Sequence, residues 1–310
     1  MVLKEKFTLS IGDNITGSPL SVLGYRFSQG NGSSIYIQGG THGGEITFPI
    51  FKMLSNFLEK NTEWQGTVTL IPLSHPISWN QRHYYYTAGK FDNYNGKDWN
   101  RSFPGNKDGS TTERISKMIF DEAIKHDLIL DLHTSRRSKP FTIVSREDLV
   151  EYAINSGILP IYLAPKSSSN FPFTDAIDNA GKKGITIECG SHDSMNQDDF
   201  SLSFNAVLNV FRKEKLLNDN IELKKVDGVF VFEKYETYFA PISGFVEYLQ
   251  PLEKLVKKGE ILYRIHASNS LNEAIDVLAI ENSIIMKYQS THIATIGDEV
   301  VTVVTKYKYI

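Results

Sequence analysis

A mostly parallel α/β sheet with helices on both faces, followed by a small all-β domain, is the fold this sequence predicts. Three observations predict it. The strand-like runs at residues 34–38, 66–73, 127–133 and 184–188 are apolar throughout rather than at every second position, as strands buried on both faces must be. Stretches with helical spacing alternate with them, the pattern of a sheet built from crossover connections. From Val226 onward that alternation stops, and β-branched and aromatic runs are broken by turn residues at Ser243-Gly244, Lys258-Gly259 and Gly297-Asp298.

Residues 1–33 read as β-rich, with a strand at 19–26 and a Gly/Ser turn after it. The strand at 34–38 and a helix at 46–58 flank a Gly-rich elbow, GGTHGGE. Glycine has no Cβ and accepts positive φ, so the chain can turn sharply there. His42 sits on the elbow and Glu45 is placed at the first turn of the helix. The two side chains can then converge, and imidazole and carboxylate are both ligand types that zinc favours. After the strand at 66–73, residues 75–110 are polar and lack periodicity. So long an irregular segment in a compact domain is more often functional than idle. Ser110 and Glu113 make a capping box that opens a helix to about His126. The strand at 127–133 follows, then short strands at 141–144 and 160–164 around a helix at 147–156, the strand at 184–188, and a helix around 198–214. Ligands collect beyond the carboxyl ends of such strands. His42, His133 and Glu188 all lie just past one.

The 310 residues divide into 1–220 and 221–310, the second part carrying a faint repeat, APISGFVEY…VKKGEILYRI and AIENSIIMK…TIGDEVVTVV. Two similar β halves predict a small barrel or sandwich. A net charge of −3 gives no support to nucleic-acid or anionic-membrane binding, which would want a basic surface. Cys189 is the only cysteine, which rules out an internal disulfide and a thiolate zinc site. No apolar run has the length of a signal-peptide core or a membrane span, so the chain reads as cytoplasmic. A homo-oligomer is compatible with the composition.

A hydrolytic zinc site takes three protein ligands and leaves one position for water. Among eight histidines the third ligand is chosen between His133 and His75, which both end strands. His133 is better placed, because alternation puts Asp131 on its face, where a carboxylate can orient the imidazole. Glu188 ends a very apolar strand, where a carboxylate is costly without a role or a partner. In a metal hydrolase that role is general base. Asn100 and Arg101, in DWNRSFPG, offer an amide beside a planar guanidinium, which binds a carboxylate through two parallel hydrogen bonds. Read singly, each of these residues also has an ordinary structural explanation.

Taken together, THGGE, GKDWNRSFPG, LDLHT and ITIECG resemble, in order and approximate spacing, the succinylglutamate desuccinylase/aspartoacylase family of the zinc carboxypeptidase superfamily. The resemblance covers roughly residues 34–215, and the APISG…KKGE pattern is similar to the family's C-terminal domain. It implies a zinc-carboxypeptidase-like α/β domain, with a β domain narrowing access to one zinc ion. It also implies His42, Glu45 and His133 as metal ligands, Glu188 as the activator of water, and Asn100 and Arg101 as the grip on a substrate carboxylate. Two positions depart from the family. Its usual arginine about ten residues before the Asn is here Lys90, leaving Lys90 or Arg82 to polarise the scissile carbonyl. A further arginine often found shortly before the glutamate is missing; residues 170–187 hold only Lys182 and Lys183, which argues against doubly acidic substrates such as N-acetylaspartate.

The function expected is hydrolysis of the amide bond of a small N-acylated amino acid or related carboxylate. A metallocarboxypeptidase acting on peptides or cell-wall fragments is the alternative, and a non-catalytic metal-binding module a more distant one. The Met286-Lys287 pair resembles the attachment site of biotinyl and lipoyl carriers, but Lys287 falls within a strand and reads as an ordinary solvent-facing lysine.

Overall fold

The computed structural model describes residues 2–83, 86, 87, 89–165, 172–192, 194–223, 228–289 and 291–310, with backbone alone at 86 and 87. Residues 84, 85 and 88 of the irregular segment, 170 and 171 of the arginine-free run, and Val226, where the C-terminal β run begins, lie outside the described residues.

Strands β1 (Leu3–Asp13), β2 (Pro19–Gln29) and β3 (Ser34–Gly39) lead to helix α1 (Phe48–Lys60), β4 (Gly66–Ile71) and α2 (Pro76–Asn80). A small hairpin, β5 (Arg82–His83) and β6 (Tyr86–Thr87), and a 3-10 turn at Trp99–Arg101 precede α3 (Thr111–Ala123). Then come β7 (Leu128–Ser135), β8 (Arg137–Ser138), β9 (Phe141–Val144), a 3-10 turn at Glu147–Leu149, α4 (Val150–Ser156), β10 (Ile161–Leu163), α5 (Phe173–Asn179), β11 (Lys183–Ser191) and α6 (Gln197–Lys213). The rest is β: β12 (Phe230–Phe239), β13 (Gly244–Tyr248), β14 (Leu255–Val256), β15 (Ile261–Ala267), β16 (Ala274–Leu278), β17 (Ser283–Tyr288), β18 (Ile293–Ala294) and β19 (Glu299–Tyr309).

Among the described residues one large sheet runs β1-β2-β4-β3-β7-β11-β9-β10-β12-β19-β17-β14. Its centre, β4-β3-β7-β11, is parallel, and antiparallel pairs flank it. The expected α/β fold is present, and the reason for its apolar strands is visible in β7. Leu128, Leu130 and Leu132 enter a core under α1, α4 and α6. Ile129 enters a second core under α3 and α5. Each strand position thus feeds one core or the other. On the α3/α5 face the apolar rows end in a row of polar register partners, Gln38, Asp131 and Thr186, and one step further on come His133 and Glu188.

The capping box at α3 is formed in both directions: the Ser110 side chain accepts from the Glu113 N–H, and Glu113 accepts from the Ser110 N–H. At the C-terminal end, a second sheet, β16-β15-β13-β18, lies over the last strands of the large one. Val246, Ile265, Val256, Ile285, Val301 and Val303 fill the space between them.

Candidate metal and catalytic site

The elbow after β3 is forced by close packing. Gly40 has φ +67°, and a Cβ there would meet the Trp79 indole nitrogen at 2.9 Å and the Pro72 carbonyl oxygen at 3.0 Å. Gly43 donates its N–H to the Gly89 carbonyl at 3.0 Å, which ties the irregular segment to the elbow. A side chain at Gly89 would meet the Gly43 Cα at 2.3 Å, so this contact needs glycine at 89.

One expectation is corrected here. Glu45 is not in the first helical turn: α1 begins at Phe48 with Thr47 as its N-cap, so Glu45 belongs to the elbow. Pro49 sets the start, because proline has no N–H and is accommodated where the helix does not need one.

His42, Glu45 and His133 come together. All three are buried, and one ligand atom from each lies within 4.8 Å of the others. Glu45 sits between the two imidazoles, with Oε1 2.8 Å from His42 Nδ1 and Oε2 2.8 Å from His133 Nδ1. Each imidazole has a second carboxylate on its other nitrogen. His42 Nε2 is 3.0 Å from Asp98 Oδ1, and His133 Nε2 is 2.9 Å from Asp131 Oδ2. The Asp131 contact is the one that strand alternation predicts. Asp131 is held in turn by Gln38, whose Nε2 donates to its Oδ1 at 3.0 Å, while Gln38 Oε1 accepts from the Tyr36 hydroxyl at 3.1 Å.

Burial alone would push both histidine pKa values down. The charges and hydrogen bonds of Glu45 and Asp98 outweigh it and raise that of His42; those of Asp131 and Glu45 raise that of His133. For Glu45 burial pushes upward, and the two histidines overcome it to hold the carboxyl well below the usual range.

Two imidazoles and a carboxylate converging in a buried nest are the donor set of a divalent transition metal with an open position, and zinc matches it. Glu188 supplies the second sign of fit. It is the register partner of His133, and its Oε2 is buried with no hydrogen-bond partner among the described residues. Burial raises its pKa, and the nearby Glu45 charge adds to this against the pull of His133, Lys287 and His42.

Asn100 is buried beside the nest and Arg101 is exposed next to it. Asn100 Oδ1 accepts from the Phe173 N–H at 2.8 Å, which fixes the amide orientation. Its Nδ2 is 3.3 Å from His133 Nε2. With that nitrogen donating to Asp131, the approach is between two donors, so the amide hydrogens remain available to a ligand. Arg101 donates to the Asn100 carbonyl at 2.7 Å. The rival His75 stays outside the nest. It caps α2, packs on Trp99 with ring centroids 4.0 Å apart, and burial pushes its pKa down to about 3.

Sequence reasoning missed Asp98, Gln38 and Lys287. Asp98 opens the DWNRSFPG motif and caps its 3-10 turn, accepting from the Asn100 N–H at 2.8 Å. Gln38 is a polar residue in an otherwise apolar strand, which is a readable signal. Lys287 lies in a strand as expected but is half-buried, not a plain solvent-facing lysine, and the charges of Glu188, Lys90 and Glu299 act on it.

A sequence profile described as "Succinylglutamate desuccinylase/Aspartoacylase catalytic domain" matches residues 31–213. The chain is 22% identical over 255 residues, 77% of its length and 72% of the relative's, to an N-alpha-acetyl-L-2,4-diaminobutyric acid deacetylase from Halomonas elongata. Its fold is similar to a succinylglutamate desuccinylase/aspartoacylase family protein from Shewanella amazonensis, with TM-score 0.88, 22% identity, and 99% and 100% of the two chains covered. It is also similar to the product-bound ectoine utilization protein EutE (DoeB) from Ruegeria pomeroyi, with TM-score 0.81, 17% identity, and 98% and 95% covered.

Proposed function

Because the chain belongs to the succinylglutamate desuccinylase/aspartoacylase family, we propose that it is a zinc-dependent deacylase that hydrolyses the amide bond of a small N-acylated amino acid or related carboxylate. The observation that carries this reading is the convergence of His42, Glu45 and His133 beside the unpartnered Oε2 of Glu188. His42, Glu45 and His133 hold the metal, one ion per chain. When bound, the ion supplies a Lewis acid that polarises a carbonyl and brings the pKa of water to about 7.

The chain's own residues do the rest. Glu188 takes a proton from the attacking water as the C–O bond forms, and returns it to the amine as the C–N bond breaks. Arg101 and Asn100 hold the substrate carboxylate and so align the amide. Lys90 is favoured over Arg82 as the cation near the carbonyl oxygen. Its neighbour Gly89 is bonded to the elbow, and its own carbonyl accepts from the Trp99 N–H at 3.3 Å. Arg82 lies in β5, paired with β6; both it and Lys90 are exposed, so the tie to the elbow is what separates them.

Residues 221–310 are proposed as a domain whose strands narrow the approach. Support comes from the separate core between β13, β15, β17 and β19, and from β17, which pairs with β8 just after His133. Such crowding favours small substrates over long peptides.

The test is metal analysis followed by a panel of N-acyl amino acids and short peptides. About one zinc per chain, loss of turnover on chelation, recovery with zinc, and preference for N-acyl amino acids are expected. A metal-loaded protein inert across the panel would falsify the hydrolase reading and leave a binding module.

A further inference from the structure

Lys287 is out of place for a structural residue. Strand β17 brings it from the C-terminal β sheet to the catalytic part, where it is the register partner of Ser138 in β8. That contact is anchored to the strand bearing Glu188: the Ser138 N–H donates to the Ser191 hydroxyl at 3.2 Å, and that hydroxyl donates to the Ser138 carbonyl at 3.1 Å. Lys287 is half-buried, and its ammonium has no hydrogen-bond or ion-pair partner among the described residues, although its backbone is paired on both sides of β17. A lysine removed from water without a partner costs free energy, and burial accordingly pushes its pKa down. The charges around it are Glu188, Lys90 and Glu299. Glu188 lies beyond ion-pair distance, and its own Oε2 is unpartnered. The Arg101 charge acts on Asp98, beside His42.

We propose that Lys287 is a specificity-determining residue that pairs with an anionic substituent of the substrate, separate from the carboxylate taken by Arg101. The proposal rests on the deacylase reading above. A half-buried ammonium with no side-chain partner among the described residues, within the field of a second cation, the exposed Lys90, favours a ligand carrying negative charge. The absent second arginine therefore does not exclude doubly anionic substrates, because a lysine from the β domain occupies the corresponding electrostatic role. The substituent can sit on the amine side or on the acyl side of the scissile amide. Both present the same chemistry, a carboxylate for an ammonium.

The experiment compares kcat/KM for substrates differing in one charge: N-acetyl-aspartate against N-acetyl-asparagine, and N-succinyl-glycine against N-butanoyl-glycine. In K287M the preference for the anionic member of one pair should shrink by about ten-fold to a hundred-fold, mainly through KM, and K287R should restore much of it. The pair that responds identifies the side. If K287M lowers both members of both pairs equally, or alters neither, Lys287 has no part in specificity. Calorimetric titration of the zinc-loaded protein with aspartate against asparagine, and succinate against butyrate, asks the same question without turnover. A charge preference that K287M abolishes supports the subsite even where no N-acyl amino acid is hydrolysed. A preference that survives in K287M overturns it.

Discussion

Glu188 and His133 are register partners across the parallel strands β11 and β7, so their side chains rise from the same face of the sheet, one strand spacing apart. That spacing is about 4.8 Å, close enough for one small molecule to touch both groups. Glu188→Gln keeps the shape and removes the base. Its kcat should fall by about 10²-fold to 10⁴-fold with zinc content unchanged. Wild-type turnover in this variant would remove Glu188 from the role of base.

Behind His133 stands a buried relay of Asp131 and Gln38. It fixes the proton on Nε2 and so aims Nδ1 at Glu45. Gln38→Leu leaves Asp131 short of a donor, and the imidazole should lose its orientation. Zinc affinity, read by competition with a chelating dye, should weaken by about 10-fold to 100-fold. An unchanged dissociation constant would show that Asp131 holds the ring unaided.

The Arg101 guanidinium reaches solvent at the edge of the nest. Arg101→Met should raise KM for an N-acyl amino acid by about 10-fold to 100-fold, the loss of a charged hydrogen bond, with a smaller change in kcat. Arg101→Lys should recover only part of this, since an ammonium cannot make the paired contact. A KM that does not move in Arg101→Met would place the substrate carboxylate elsewhere.

His75 should make the protein sensitive to acid. Its folded-state pKa, about 3, lies below the ordinary histidine value because burial disfavours the charged ring. Between those two values the unfolded chain binds the proton and the folded chain does not. Stability is therefore lost as pH falls from about 6.5 towards 3, by up to roughly 1.4 kcal/mol per pH unit. Urea unfolding at several pH values should show a shallower acid slope in His75→Asn than in wild type. Parallel slopes would exclude His75 as the cause.

Much of the fold was legible because a sheet buried on both faces demands unbroken apolar strands, and these stand out at 128–132 and 185–187. The capping box at Ser110 was equally readable, being local chemistry. Glu45 was misplaced because Ile46 continues the helical spacing, and Pro49, the signal for the true start, was passed over. Asp98 sits in a recognised motif, but its bond to His42 joins residues 56 apart in sequence and leaves no local trace. Lys287 was missed for the same reason. The register of β17 shifts between Ile285 and Lys287, so alternation does not give the face Lys287 occupies, and what lies opposite depends on pairing with β8, which no short-range pattern encodes.

Strand β12 extends the catalytic sheet beyond β10, and β19 carries the ladder on to β17, which returns to touch β8. Backbone bonds therefore stitch the two halves into one continuous fabric. Parting them would tear that fabric: the β10–β12 and β8–β17 pairings would both have to break.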